Sequence, residues 1–313
     1  MNLLVGSTGF IGGHLVEYLF QQGEISKGIF RKGSHLKIMD GSGVQGLEAD
    51  LLDHHSLHEA VEGVDTVYSL ASPTPWGDGS SEYARTNTDG IKNLLEVAVE
   101  MKVKTIVHLS TLDVYGPERV GTIGESTDPK PSHPYQRAKL AADNLLFDFS
   151  SHNPEPKVTV IRSARAVGAR DPSLVVPLLR MIETGRVLVP SGADQLASFS
   201  HPRDIAQAMF RAATTPNLAR RFYLVKSFDA TPLDVITSIV EKVAKPAQIR
   251  KPGILGGKSL FPDYTLSQFR RPIVLGEQKS WMELGYSPAY GVEKLSEEVG
   301  QWYNKEPWVT EVL

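Results

Sequence analysis

Short apolar runs alternate with stretches of helical periodicity through the first half of the chain. Residues 2–5 are apolar after Asn2 and read as a buried strand. From 10 to 22, apolar residues recur at Ile11, Leu15 and Leu19, the spacing of one helical face. Residues 25–30, 44–48 and 65–70 predict three further strands. Residues 82–101 predict a long helix with Ile91, Leu94, Leu95, Ala98 and Val99 on one side. A fifth strand is expected at 105–109, a helix at 135–149 and a sixth strand at 157–161. Strands and helices in alternation predict an α/β fold, a parallel sheet covered on both faces.

Beyond about residue 165 the rhythm loosens. Pro172, Pro177, Pro190, Pro202, Pro216 and Pro232 punctuate it, and Gly and Pro concentrate again at 251–258. Helices are expected at 174–184 and 203–213 and a strand at 221–225. The division predicted is a sheet domain over 1–165 and a smaller, irregular lobe over 166–313, with about 195–230 returning to the sheet. There is no internal repeat and no low-complexity tail.

Chemistry enters at the first turn. Gly6-Ser7-Thr8-Gly9-Phe10-Ile11-Gly12 is G-x-x-G-x-x-G between a strand and an amphipathic helix. Gly6 permits the tight turn, Gly9 lets backbone approach a pyrophosphate, and Gly12 lets helix pack on strand. The helix N-terminus then presents free N–H groups to the anion. Glycine triplets also occur in plain turns, but the flanking strand and helix favour a dinucleotide. The second strand ends near Arg31 and Lys32, where NAD enzymes place an acid for the ribose 2′-OH. A guanidinium suits a 2′-phosphate instead, so NADP is the cofactor expected, with NAD the alternative. Asp50, after the third strand, reads either as a partner for the adenine amino group or as a turn for the next helix.

Tyr135-Gln-Arg-Ala-Lys139 is Y-x-x-x-K in a helical stretch. Residues at i and i+4 share a face. A phenol titrates near 10 unperturbed, too high for a base at neutral pH, and a neighbouring ammonium lowers it. The pair is a proton relay for an alcohol or ketone. Thr111, just after the fifth strand, lies at a carboxyl edge of the sheet and is placed to hold the substrate oxygen.

These residues together resemble the extended short-chain dehydrogenase/reductase superfamily, which includes nucleotide-sugar epimerases and dehydratases. The likeness covers residues 2 to about 213. It rests on the glycine motif, on Ser110-Thr111-Leu112-Asp113-Val114-Tyr115-Gly116, on Y-x-x-x-K, and on their order; Ser69-Leu-Ala-Ser-Pro73, Asn87 and Phe199-Ser-His-Pro-Arg-Asp204 add to it. It implies a Rossmann-type doubly wound parallel sheet with a smaller C-terminal substrate lobe. It implies Thr111, Tyr135 and Lys139 as catalytic residues, with Lys139 also holding the nicotinamide ribose. Cofactor contacts implied are Gly6, Thr8, Gly9, Phe10, Ile11 and Gly12, then Arg31, Asp50 and Leu51. Leu70, Ala71, Ser72, Asn87, Ser110, Ser163, Tyr135 and Lys139 complete them. A homodimer through the helices at 82–101 and 135–149 is a further implication.

Two positions discriminate branches of the superfamily. Sugar-nucleotide enzymes usually carry an asparagine three residues after Arg162; Arg165 stands there. Gly168-Ala-Arg-Asp171 resembles more closely the 3-beta-hydroxysteroid dehydrogenase and dihydroflavonol reductase branch. Dehydratases carry a glutamate base two residues after the threonine; Asp113 stands there, with a turn or capping carboxylate as its plain alternative. The reading is an NAD(P)-dependent oxidoreductase acting on a secondary alcohol or ketone. The alternatives are a nucleotide-sugar 4-epimerase or 4,6-dehydratase with tightly held cofactor, and a non-catalytic NADP-sensing protein. The substrate is expected near Arg165 and the 74–79 loop with Trp76.

Composition narrows the partners. The 313 residues contain no cysteine, which excludes disulfides, thiolate metal sites and cysteine nucleophiles and fits a reducing, cytoplasmic setting. A formal charge of -3 supplies no basic field for nucleic acid. No window approaches the roughly 18 apolar residues of a membrane span, and no signal peptide is expected. His54, His55 and His58 read as a solvated helical turn capped by Asp53 rather than as metal ligands. Gly253-Ile-Leu-Gly-Gly-Lys258 lacks the glycine spacing of a phosphate loop for nucleoside triphosphates. Trp302 and Trp308 read as lobe packing or a subunit contact.

Overall fold

The computed structural model describes residues 1–34, 43–75, 80–116, 122–250 and 260–305. Trp76 with most of the 74–79 loop, the 253–258 glycine run and Trp308 lie outside the described residues.

The chain begins β1 (Asn2–Val5), α1 (Phe10–Gln21), β2 (Ser26–Phe30), β3 (Gln45–Glu48), α2 (His54–Val61) and β4 (Thr66–Ser69). There follow α3 (Ser80–Ala84), α4 (Gly90–Glu100), β5 (Thr105–Thr111), β6 (Thr122–Ile123), α5 (Pro134–His152) and β7 (Lys157–Ser163). The expected single helix over 82–101 is interrupted by a π-helical turn, Arg85–Asp89, between α3 and α4. Such turns often mark functional sites.

Seven parallel strands form the central sheet in the order β11-β7-β5-β4-β1-β2-β3, with β11 (Phe222–Val225) coming from the second half of the chain. From β1 the chain winds outward to β3, then crosses back to β4. The loops after β1 and β4 diverge at that reversal, and ligands bind in the crevice so formed. Alternate strand residues feed opposite cores. Leu3, Val5, Val67, Ile106 and Val160 pack under α2, α4 and α5 with Leu57, Leu94 and Leu146. Leu4, Tyr68, Val107 and Ile161 face the other way, against Leu15 and Leu19 of α1 and Ile205 and Met209 of α7 (Pro202–Thr214). That two-residue alternation is the pleat itself.

The later chain adds β8 (Arg165–Ala166), α6 (Val175–Glu183), β9 (Arg186–Leu188), β10 (Ala197–Ser200), β12 (Phe228–Ala230), α8 (Pro232–Lys242) and β13 (Gln248–Arg250). It closes with α9 (Asp263–Arg270), β14 (Val274–Leu275), α10 (Ser280–Leu284) and α11 (Val292–Lys305). Its short strands pair as β12-β10-β8, β13-β9 and β14-β6. A separate apolar core, with Leu178, Val187, Phe199, Ile236, Phe269 and Leu295, holds these elements together. Among the described residues no helix is long and apolar enough to cross a membrane.

Candidate active site

A cavity of about 210 Å³ opens where β1 and β4 diverge. Gly6 makes it possible. Its φ is +98°, and a Cβ there would stand 2.8 Å from the Ala71 nitrogen. A Cβ at Gly12 would stand 2.0 Å from the Gly6 carbonyl oxygen, so the helix can sit on the loop only without a side chain. Gly9 is the N-cap of α1 and offers no side-chain cap, which leaves first-turn N–H groups to an incoming anion. Thr8, Gly9, Arg31, Asp50 and Leu51 line one side of the cavity, and Leu70, Ala71 and Ser72 the other. Arg31 is exposed at this cavity. Asp50 Oδ1 accepts from Leu52 N at 2.9 Å, so the residue shapes its turn as well as facing the cavity. Phe10, Ile11 and Gly12 form the first turn of α1 rather than the cavity wall. A cradle of glycine backbone, a helix N-terminus and an exposed guanidinium fits a dinucleotide.

Next to it, Asn87 lies buried in the π turn. Its Nδ2 donates to the Tyr83 carbonyl at 2.9 Å and lies 3.4 Å from Ser72 Oγ, while its Oδ1 has no hydrogen-bond partner among the described residues. Tyr83 presents its ring edge-on to Tyr135, with centroids 5.9 Å apart. The Y-x-x-x-K segment starts α5. Pro134 and a capping box set that start: His133 Nδ1 accepts from Tyr135 N, and Gln136 Oε1 accepts from His133 N. Tyr135 is thereby fixed in the first turn. Burial, and after it the Asp113 charge, push its phenol upward from the usual value.

Lys139, one turn on, is buried. Its Nζ donates to the Leu109 carbonyl at 2.7 Å and lies 3.2 Å from His108 Nε2. Burial brings its ammonium down to about 8, with Asp143 pulling the other way. Thr111 Oγ1 accepts from Asp113 N at 3.1 Å, and the Thr111 side chain also bonds the Asp113 carboxylate. Ser163 stands beside Thr111 in the β5–β7 register. Ser110 points elsewhere: its hydroxyl donates to Asp143 Oδ2 at 3.0 Å. Asp143 also receives Arg162 Nε at 2.8 Å, beneath α5.

A second cavity, about 380 Å³, lies on the far side of Asp113 and is walled by α9 and the strands of the later lobe. Asp113 Oδ2 accepts from Tyr264 Oη at 2.9 Å and from Gln268 Nε2 at 2.9 Å. The carboxylate is thus the anchor of a helix about 150 residues away, not merely a local cap. The Tyr264 ring packs against Tyr135, centroids 5.6 Å apart, and its hydroxyl accepts from Gln136. Arg165 donates to Gln268, to Ser173 Oγ at 3.1 Å and to Thr265 Oγ1 at 3.3 Å, and lies over the Phe269 ring. Arg270 and Arg271 are exposed at the same cavity. Tyr264 and Gln268 were not anticipated. Their i, i+4 spacing puts them on one helix face, but nothing local says which cavity that face meets. His108 and Asp143 adjoin recognised motifs, and Asp143 stands one turn after Lys139.

Residues 2–224 match the NAD dependent epimerase/dehydratase family. The chain belongs to it. It is an extended short-chain dehydrogenase/reductase and an enzyme. Family relatives include bovine sterol-4-alpha-carboxylate 3-dehydrogenase, decarboxylating, 29% identical over 67% of this chain and 59% of that protein. Sterol demethylase protein B of Methylococcus capsulatus is 27% identical over 83% of this chain and 80% of its own. Among solved folds, the UDP-glucuronic acid 4-epimerase of Bacillus cereus superposes with a TM-score of 0.80 over the whole of both chains, at 23% identity.

Proposed function

We propose that this family member transfers hydride between a secondary alcohol or ketone and NADP, with Tyr135 as the acid–base group. The observation that supports the reading is Tyr135 fixed at the start of α5 with its ring edge-on to both Tyr83 and Tyr264, and Lys139 held one turn on. When bound, a nicotinamide dinucleotide supplies the hydride acceptor or donor. Gly6, Thr8 and Gly9 would hold its pyrophosphate and Asp50 its adenine. Tyr135 moves the hydroxyl proton, Thr111 orients the oxygen, and the Lys139 charge stabilises phenolate against the burial that opposes it. Residues 1–165 would hold the dinucleotide and 166–313 wall the substrate.

Tyr135→Phe should lower hydride transfer, followed at 340 nm, by about 10²–10⁴-fold. Dinucleotide affinity should stay within a few-fold, because the phenol is outside the cradle. Full turnover in that variant would remove Tyr135 from the mechanism. The preference for NADP rests on Arg31. Arg31→Ala should weaken NADP by about ten- to a hundredfold, the worth of a charge-assisted contact, and leave NAD unchanged.

The arginines at the second cavity favour one other reading, a nucleotide-sugar epimerase or dehydratase whose diphosphate pairs with Arg270 and Arg271. Conversion of a UDP- or dTDP-sugar without net change at 340 nm would establish it. A cytoplasmic homodimer through α4 and α5 completes the proposal. A monomer in light scattering at micromolar concentration would contradict the pairing.

A further inference from the structure

Lys139 does not lie loose beside Tyr135. The ammonium has three hydrogens and no lone pair. One goes to the Leu109 carbonyl and one to His108 Nε2. An imidazole nitrogen that accepts must be unprotonated, so the ring proton of His108 sits on Nδ1. That nitrogen lies 3.1 Å from Ser69 Oγ, which therefore accepts. His108 is fully buried in β5 and Ser69 nearly so at the end of β4, immediately before the cradle residues Leu70 and Ala71. Burial and the lysine charge hold the imidazole well below its usual range, which keeps it neutral and able to accept.

We propose that His108 is a positioning residue for Lys139: anchored on Ser69, it receives one ammonium hydrogen and so fixes where the lysine carries its charge relative to Tyr135. The proposal rests on Tyr135 and Lys139 being the acid–base pair. The charged groups around the lysine are Asp143 on its own helix and, behind that, Arg162 of β7 paired to Asp143; Tyr135 stands one turn earlier on α5. None of these replaces the acceptor that His108 provides.

The test reads the lysine itself and needs no substrate. Protein labelled with ¹³C,¹⁵N-lysine is titrated by NMR, with Lys139→Arg identifying the resonance. Losing a buried acceptor disfavours the ammonium, so His108→Leu should lower the Lys139 midpoint by about one pH unit, tenfold in its proton affinity. His108→Gln, whose amide oxygen accepts in the same place, should restore most of that shift. Ser69→Ala frees the ring to protonate on Nε2 and should produce a smaller fall in the same direction. An unchanged midpoint in folded His108→Leu would overturn the proposal. If that variant does not fold, an unchanged midpoint in Ser69→Ala would do the same. Because no turnover is measured, a failure of the hydride reading at Tyr135→Phe is seen separately.

Discussion

The dinucleotide cradle and the second cavity are built from different materials. The cradle is backbone: Gly6, Gly9 and Gly12 bring β1, α1 and the β4 loop so close that a Cβ at Gly12 would sit 2.0 Å from a carbonyl oxygen. The second cavity is side chain: Asp113 ties β5 to Tyr264 and Gln268, and Arg165 reaches Gln268, Ser173 and Thr265. Backbone cradles resist substitution by steric exclusion. Side-chain networks resist it because each buried polar group left alone costs its desolvation. The two regions should therefore fail in different ways when altered.

The largest effect is expected beneath α5, where Asp143 is buried with one oxygen bonded to Ser110 and Arg162 and the other without a hydrogen-bond partner among the described residues. Burial raises the Asp143 carboxyl and Arg162 opposes that. Arg162→Met strands the carboxylate and should cost about 3–5 kcal/mol of stability in a denaturant titration. The double variant with Asp143→Leu should recover part of it, since the stranded carboxylate is gone but the buried Lys139 ammonium loses the carboxylate that supports it. A single variant as stable as the parent would show that side-chain networks here are less demanding than the contrast implies.

Gly12→Val probes the opposite kind of failure. The contact is with backbone on both sides, so the loop must move. A loss of about 1–3 kcal/mol is expected in thermal melting, as for overpacking, together with loss of dinucleotide binding by calorimetry. Binding that survives at parental affinity would mean the cradle tolerates a shift that its spacing excludes.

The same contrast explains what was readable beforehand. The cradle is written in consecutive residues, since glycine spacing and apolar periodicity are local properties of the chain. Tyr135 and Lys139 are one turn apart for the same reason, and the parallel sheet follows from the alternation of strands and helices. Tyr264 meets Asp113 across 151 positions, through a loop-rich lobe whose two- and three-residue strands have no period to detect. The π turn at Arg85–Asp89 also escaped, because its five polar residues carry no apolar period that could mark the break before α4. Asp113 reads locally as a turn carboxylate, and only the packing of α9 gives it a distant role.

Tyr264→Phe sharpens the comparison further. It deletes one donor to Asp113 and the acceptor of Gln136 while keeping the ring against Tyr135. A hydrogen bond to a charged carboxylate is worth about 1.5–3 kcal/mol. The substrate KM should change about tenfold or more, with dinucleotide affinity constant. A change in dinucleotide affinity instead would show that the two regions are not separable.

The smallest effect lies at the seam between them. His201 caps α7, its Nε2 is 3.3 Å from Glu298 of α11, and its ring is 6.1 Å from that of His14 on α1. Tyr290 donates to the same carboxylate at 3.0 Å, and Arg203 lies near it at 3.8 Å. Burial alone would raise Glu298, but the His201 contact and charge and the Arg203 charge outweigh it and hold the carboxyl down at about 2. A depressed carboxyl binds fewer protons folded than unfolded, so its contribution is present above the unfolded value and lost as pH falls toward 2. Glu298 remains 23% exposed, and screening reduces its worth to about 1 kcal/mol. Glu298→Gln should therefore be less stable than the parent at pH 7, and the difference should close between about pH 5 and 2 in denaturant titrations. A gap that persists unchanged at low pH would assign the loss to packing at the seam rather than to charge.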